Sequence, residues 1–195
     1  MIQAEGIFAG GATTPYIEET YDSAGNLIDV KMHGYTKIRD NLFQECYSLS
    51  LASLPDEIVS IGNYAFFQCE NLAFTSLPPG VTYIGYGAFI GCVNLALTSL
   101  PDGITSIGVQ TFDHCTNLAL TSIPAGLTDI SYGAFSCCTG LTELTFMGTP
   151  TSIASSAFEL CENLTTINVP WAEGAVANAP WGATNAKINY NYTGG

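Results

Sequence analysis

The apolar positions of this chain recur at a constant interval of about 23 residues. In each copy a cysteine follows a phenylalanine by three residues, a leucine follows it by six, and an isoleucine precedes it by five. The four columns are Phe43, Phe66, Phe89, Phe112, Phe135 and Phe158; Cys46, Cys69, Cys92, Cys115, Cys138 and Cys161; Leu49, Leu72, Leu95, Leu118, Leu141 and Leu164; and Ile38, Ile61, Ile84, Ile107, Ile130 and Ile153. One unit alone buries too little apolar surface to offset its ordering entropy, whereas stacked units bury these side chains against their copies. The pattern therefore predicts a solenoid of six rungs.

Each unit is predicted to hold a short strand and a turn. The strand reads Leu72-x-x-Thr75-x-Leu77 and ends at a proline, which has no N–H to donate. Apolar residues at positions 61, 65, 66 and 69 have the spacing of one helical or 3₁₀ turn. Sequences such as Pro-Asp-Gly at 101–103 mark the reverse turn between the two parts.

The segments SIGNYAFFQCENL, YIGYGAFIGCVNL and TSLPDGITSIG resemble the BspA-type leucine-rich repeats of bacterial and protozoan surface proteins. The resemblance covers residues 35–170. It implies an α/β, strand-rich fold: a right-handed, curved leucine-rich-repeat solenoid with a parallel sheet on one side, short helical or 3₁₀ turns on the other, and a cap at both ends. It also implies a role in adhesion or protein recognition. The ligand does not carry over, because repeat number and surface residues vary within such families.

The segment before the repeats, residues 1–34, is predicted to contain a capping β-hairpin. Residues 16–21 and 27–32 read as strands around a loop, Asp22-Ser23-Ala24-Gly25-Asn26, with turn chemistry. An open solenoid end exposes an apolar cross-section, so we expect the hairpin to cover it. The start, Met1-Ile2-Gln3-Ala4-Glu5, shows neither the basic nor the apolar region of a secretory signal.

The segment after the repeats, residues 171–195, carries both tryptophans, Trp171 and Trp181. One interpretation is a C-terminal cap or tail in which tryptophan covers the last rung. The other is an aromatic patch that binds a partner. This tail also resembles endings found after such repeats in prophage-encoded structural proteins of gut bacteria. That resemblance implies an alternative role as a structural component of a prophage or phage-like particle.

Charge excludes several classes of partner. The 195 residues include 17 acids and four bases, a net charge of −13, and no Lys or Arg lies between Arg39 and Lys187. Nucleic-acid binding and attachment to anionic membranes depend on basic side chains, so neither is expected. Apolar runs are interrupted too often for membrane insertion.

The sequence predicts no cofactor, no metal site and no enzyme. Six of the seven cysteines fall in the repeat column, where they are expected to be small, unpaired core side chains, and the extra thiol, Cys137, should face outward or sideways. There is no CxxC pair and no histidine pair at metal-ligand spacing; His33 and His114 are the only histidines. The acids Glu143, Glu159 and Glu162 leave a carbohydrate-active enzyme as a remote alternative.

Four asparagines precede the repeat leucine. They are Asn71, Asn94, Asn117 and Asn163. We expect a buried ladder in which these side chains bond loop backbone.

The candidate partner surface is the open face of the strands. The third strand position holds Leu51, Phe74, Leu97 and Leu120 in the first four rungs, and the fifth holds serines, including Ser76 and Ser99. Either these apolar residues are exposed beside the serines, or they point inward and the fourth-position threonines point outward. Exposed apolar patches are rare without a function, which favours the inward alternative. The candidate binding residues are Leu51, Phe74, Leu97, Leu120, Ser76, Ser99, Trp171 and Trp181.

These observations predict a non-enzymatic protein-interaction or adhesion module displayed on a bacterial surface. Its expected partner is a protein or peptide, with a host surface component as one candidate and self-association as another. The alternative location, on a virion-like particle, follows from the tail resemblance.

Overall fold

The structure, a computed structural model, describes residues 14–194 and contains twelve strands there. They are β1 Tyr16–Tyr21, β2 Leu27–His33, β3 Lys37–Ile38, β4 Ser60–Ile61, β5 Tyr83–Ile84, β6 Ser106–Ile107, β7 Ser122–Ile123, β8 Asp129–Ile130, β9 Glu143–Phe146, β10 Ser152–Ile153, β11 Thr166–Asn168 and β12 Lys187–Asn189. Positions 1–13 of the predicted N-terminal segment, including the Met1–Glu5 start, lie outside the described residues. The strands after β2 belong to a parallel solenoid of about seven turns.

We number the rungs 1 to 6 by their phenylalanines, from Phe43 to Phe158. The "sheet side" of each rung is the six-residue segment that starts at the repeat leucine, such as residues 72–77. The "turn side" runs from the repeat isoleucine to the next repeat leucine, such as residues 61–72.

The turn side contains no helix in any rung of the described chain, which corrects the prediction of helical or 3₁₀ turns. Successive backbone N–H groups there donate alternately to a carbonyl of the next rung and to a carbonyl of their own rung. The Phe66 N–H donates to the Ala88 carbonyl of the next rung at 2.8 Å, whereas the Phe67 N–H donates within its own rung to Tyr64 at 3.2 Å. Tyr64 and Gln68 have left-handed φ values of 52° and 59°. A continuous α-helix cannot form here, because the left-handed residues interrupt a right-handed backbone. In addition, every second N–H group donates its hydrogen bond to the neighbouring rung.

The core of the solenoid is a stack of phenylalanine rings. The six repeat phenylalanines are fully buried, and successive ring centroids lie 5.2–5.5 Å apart with interplanar angles of 20° or less. Each interior ring therefore has an aromatic neighbour on both faces. Loss of one ring removes contacts on both sides of it, because buried cores are close-packed.

The repeat cysteines form a second ladder beside the rings. The Cys92 thiol donates to the Phe66 carbonyl at 3.0 Å, and the Cys115 thiol donates to the Phe89 carbonyl at 3.1 Å. Cys69, Cys138 and Cys161 repeat this bond at 2.9–3.0 Å. All seven cysteines of the chain are unpaired in the structure. A thiol at this position therefore fills space and binds a carbonyl of the preceding rung.

The sheet side differs between rungs 1–4 and rungs 5–6. Buried apolar positions are the first, third and sixth in rungs 1–4, but the first, fourth and sixth in rungs 5 and 6. A β-strand sends successive side chains to opposite faces, so inward residues at four and six suit a strand and inward residues at three and six do not. Accordingly, β9 and β11 occupy this segment in rungs 5 and 6, only β7 does so in rung 4, and rungs 1–3 have no strand there. The predicted strand thus forms in the C-terminal half alone.

A second set of parallel strands forms at the repeat isoleucines. β4 pairs with β3 and β5, and β8 pairs with β6 and β10. Each of these strands has two residues, of which the isoleucine is buried. The spacing of apolar residues predicts a turn at these isoleucines, so the paired strands found there are an addition to the predicted fold.

The asparagine ladder is not buried. Asn71, Asn94, Asn117 and Asn163 are all exposed. Asn117 donates to the Asn94 side chain at 3.3 Å, and Asn163 donates to the Thr139 carbonyl at 2.8 Å. The expected buried ladder is therefore wrong; these residues lie at exposed corners of the rungs.

The predicted hairpin is present at the N-terminal end. β1 and β2 are antiparallel, and Val30 and Met32 of β2 are buried in the same core as the rungs. The Ser50 N–H of rung 1 donates to the Ile28 carbonyl at 2.9 Å. The hairpin therefore packs on the first rung, while the boundary at residues 34 and 35 stays a prediction.

The C-terminal segment continues the solenoid by another turn. β12 pairs in parallel with β11, and the Phe158 N–H donates to the Trp181 carbonyl at 2.9 Å. Trp181 follows Phe158 by one repeat length and is fully buried. A tryptophan thus occupies the phenylalanine column in the turn that follows the six predicted rungs, and the boundary at residues 170 and 171 stays a prediction.

Candidate binding surface

Four of the eight candidate binding residues lie in the core. Leu51, Phe74, Leu97 and Leu120 are at most 3% exposed, and the Phe74 ring meets the Phe66 ring edge-on at 5.9 Å. This confirms the inward alternative. The four side chains fill the space between the sheet side and the phenylalanine stack. None of them therefore contributes to an exposed surface.

The two tryptophans are also buried. Trp171 is 6% exposed and packs edge-on against Phe146 at 5.3 Å, while the Trp181 indole N–H donates to the Ala177 carbonyl at 2.7 Å. Their rings lie 6.2 Å apart. The pair covers the end of the apolar core, which corrects the interpretation of these residues as an exposed aromatic patch.

Ser76 and Ser99 are the two candidates that lie on the surface. They belong to a strip of small exposed side chains at the fourth and fifth positions of rungs 1–4, which we call the hydroxyl strip. Its members are Ala52, Ser53, Thr75, Ser76, Thr98, Ser99, Thr121 and the half-buried Ser122. The threonines of this strip are not among the candidate binding residues predicted from the sequence. The signal that identifies them is the exchange of apolar and polar residues between the third and fourth positions.

The hydroxyl strip is held by backbone bonds between rungs. The Thr98 N–H donates to the Thr75 carbonyl at 3.2 Å, and the Thr121 N–H donates to the Thr98 carbonyl at 3.4 Å. The side chains are short, so they have little rotamer entropy to lose when a partner covers them. The strip is thus a flat and preorganised surface without charge.

A polar cluster marks the end of the hydroxyl strip. Glu143 stands at the third position of rung 5 and accepts a hydrogen bond from the Asn168 amide at 2.8 Å. Asn168 is 2% exposed, and its side-chain oxygen Oδ1 accepts a hydrogen bond from the Asn189 side-chain amide at 2.8 Å. Glu143 therefore adds a fixed negative charge beyond rung 4.

The surroundings of the strip are acidic. Asp56, Glu57 and Asp102 are exposed in the reverse turns that border it, and no lysine or arginine lies between residues 39 and 187. Opposite charge on a partner would strengthen association at this rim, and added salt would weaken it.

The ladder thiols are poor nucleophiles. Burial raises the pKa of the Cys161 thiol to about 12 and raises the pKa of Cys92, Cys115 and Cys138 well above the ordinary thiol value. A thiolate is the reactive form, so these groups stay protonated and inert near neutral pH.

The repeat sequences decide the family. The BspA type leucine-rich repeat region matches residues 36–170 in six copies. This chain belongs to the BspA-type leucine-rich repeat family. Leucine-rich repeat proteins of this kind are typically protein-interaction modules and are generally non-enzymatic.

Solved structures show the same fold. A T. pallidum leucine-rich repeat protein is 25% identical, with a TM-score of 0.62, and the match covers 78% of this chain and 81% of that one. A leucine-rich repeat protein from Bacteroides ovatus is 22% identical, with a TM-score of 0.60, over 83% of this chain and 47% of that one. No curated protein matches this BspA-type chain significantly. Within residues 14–194, no helix has the length and apolar character needed to cross a membrane.

Proposed function

We propose that this chain is an adhesion module of a bacterial surface that binds a protein partner through the hydroxyl strip and the acidic turns beside it. The observation that carries the proposal is the set of exposed, uncharged side chains on rungs 1–4, all supported by a rigid stack. Surface display is proposed from membership of the BspA-type family, whose members are typically surface-associated.

The size of the strip sets the extent of the interface. Four rungs spaced at about 4.8 Å and two or three exposed positions per rung give roughly 150 Å². A standard interface buries about 800 Å² on each partner. The partner must therefore also contact the bordering turns that carry Asp56, Glu57 and Asp102, so a neutral or basic protein surface is favoured.

Site-specific photo-crosslinking tests this proposal. A crosslinker at Ser99 should capture a partner from intact cell surfaces, whereas one at the exposed Tyr132 on the turn side should not. With the purified partner, Ser99→Arg should weaken binding at least about tenfold, because a long cation covers the flat centre, and Tyr132→Arg should leave the affinity unchanged.

Two results would contradict the proposal. Capture from Tyr132 alone would move the interface to the turn side. Crosslinks from Ser99 only to further copies of this chain, together with a stable oligomer in light scattering, would replace adhesion by self-assembly.

A further inference from the structure

Three potential metal ligands meet on the turn side of rungs 4 and 5. Asp113, His114 and Cys137 each offer one ligand atom, and these three atoms all lie within 4.8 Å of one another. His114 and Cys137 are one repeat length apart, so they occupy the same repeat position in successive rungs. Both have left-handed backbones, with φ values of 60° and 56°. The solenoid itself therefore brings together residues that no short motif connects.

The carboxylate of this cluster is held in place. Asp113 is only 7% exposed, and its two oxygens have separate partners. The His114 Nδ1 lies 2.8 Å from Asp113 Oδ1, and the Gln110 amide donates to Asp113 Oδ2 at 3.3 Å. Gln110 accepts in turn from the Tyr86 hydroxyl at 2.9 Å. The bonds from Gln110 and Tyr86 are outer hydrogen bonds of the kind that orient a metal-binding carboxylate.

The other two ligands are reachable from solvent. The His114 side chain is 60% exposed, and Cys137 is half-buried beside the Ser136 hydroxyl at 3.6 Å. In a tetrahedral zinc site, bond lengths of about 2.0–2.3 Å place neighbouring ligand atoms roughly 3.3–3.7 Å apart. Rotation of the exposed imidazole brings the distances between the ligand atoms to these values without moving the core.

We propose that Asp113, His114 and Cys137 bind one divalent transition-metal ion of the Zn²⁺ class. Nitrogen and sulfur ligands select zinc-like ions over Ca²⁺ and Mg²⁺, which take oxygen ligands. A thiolate and a carboxylate together balance the charge of the ion. Three protein ligands leave one tetrahedral position open, which is the arrangement of an accessible rather than a closed structural site.

The sequence predicts no metal site because it contains no CxxC pair and no closely spaced histidines. The relevant signal is different: two ligand types one repeat apart, with an acid next to one of them. His33 and Glu18 form a similar imidazole–carboxylate pair at 3.2 Å on the hairpin, but this pair is not part of the Asp113–His114–Cys137 group. It therefore supplies a matched control.

The test is titration of the metal-free, reduced chain with Zn²⁺ by calorimetry, and with Co²⁺ by absorption. We expect one equivalent of either metal per chain and a thiolate-to-cobalt charge-transfer band. Cys137→Ser and His114→Gln should each weaken Zn²⁺ binding at least about tenfold, since loss of even an outer partner costs about that much. His114→Gln is tolerated by the fold, because Gln68 stands at the same repeat position with a φ of 59°.

The controls are His33→Gln and Cys46→Ser, which change the other histidine and the other half-buried thiol. Both should bind Zn²⁺ as the unmodified chain does, and thermal unfolding without metal should show that every variant is folded. Absence of stoichiometric binding, or unchanged affinity in Cys137→Ser and His114→Gln, would overturn the proposal. An equal loss in His33→Gln would do the same.

Discussion

The sheet sides of rungs 1–4 and rungs 5–6 have the same length but bury different positions. In rung 2 the third-position Phe74 points into the core and Thr75 points out, whereas in rung 5 the third-position Glu143 points out and Leu144 points in. The turn sides of the same rungs do not differ in this way, because the phenylalanine ladder runs through all six rungs and the buried cysteine ladder through rungs 2–6. A shift of the inward apolar residue by one position, from the third to the fourth, is therefore enough to convert an irregular segment into a regular strand. It also decides where the uncharged hydroxyl strip ends.

The largest expected effect tests the inward residues of the first region. Phe74→Ser combined with Leu97→Ser should cost more than about 5 kcal/mol, because each single loss of a buried Phe or Leu typically costs 2–5 kcal/mol. The matched control changes the same third positions in the other region, Glu143→Gln with Thr166→Ser, where we expect less than about 1 kcal/mol, because both side chains are exposed or half-exposed and Gln keeps an oxygen acceptor for the buried Asn168 amide. Denaturant unfolding measures both, and similar losses in the two double variants would refute the difference between the regions.

A somewhat smaller effect tests the uniformity of the turn side. Phe89→Ala in rung 3 and Phe135→Ala in rung 5 should each cost about 3–5 kcal/mol. Both rings have stacked neighbours on either side, at 5.4 and 5.5 Å for Phe89 and at 5.5 and 5.2 Å for Phe135. Tyr132→Ala, at a 60% exposed ring, serves as the control. Losses that differ by more than about 1 kcal/mol would show that the two regions also differ on this side.

Much of the architecture could be predicted from the sequence because it depends on identical residues at identical spacing. Six in-phase phenylalanines have to stack, whatever the local backbone does. The backbone of the turn side was mispredicted as helical because residues 61, 65, 66 and 69 have helical spacing. What that spacing cannot show is that Tyr64 and Gln68 adopt left-handed conformations and that alternate N–H groups bond the next rung.

The candidate site was harder to predict for a different reason. Leu120-Thr121 and Glu143-Leu144 both fit a strand on composition alone, and only packing against the phenylalanine stack decides which residue of each pair is buried. From the sequence, both orientations are open for the third positions of the first four rungs; the structure has the inward one, which the rarity of exposed apolar patches favours. The His114–Cys137 pair escaped notice because its two residues are distant along the chain and adjacent only across rungs.

A change of intermediate expected size tests where the border between the two burial patterns lies. Exchanging two residues of rung 4, Leu120→Thr with Thr121→Leu, gives that rung the pattern of rung 5, beside which it lies. We expect a cost of roughly 1–3 kcal/mol, as for other core changes that force side chains and backbone to shift, and slower hydrogen exchange around β7 as the strand lengthens. The same exchange in rung 3, Leu97→Thr with Thr98→Leu, should cost more, since both of its neighbours keep the first pattern. Equal costs would mean that the pattern of the neighbouring rung does not matter.

The smallest effect at neutral pH concerns the thiol ladder in the two regions. Serine can donate to the same carbonyl as cysteine, so Cys92→Ser in rung 3 and Cys161→Ser in rung 6 should each change the unfolding free energy at pH 7 by about 1 kcal/mol or less. Alkaline pH should reveal the contribution of these thiols to the free energy of unfolding. Burial raises the folded-state pKa of Cys161 from 9.0 to about 12 and that of Cys92 well above 9.0. Above pH 9 the unfolded chain therefore loses these protons first.

The contribution of each thiol should be complete below about pH 9 and should decline as the pH rises towards the folded-state pKa. The slope is about 1.4 kcal/mol per pH unit for each thiol. Each serine variant should therefore flatten the loss of stability between pH 9 and 11 by that amount, and by the same amount in both regions. Because serine keeps the hydrogen bond but does not ionise in this range, a slope that stays the same in both ladder variants would mean that the ladder thiols are not buried as the stacked rungs require.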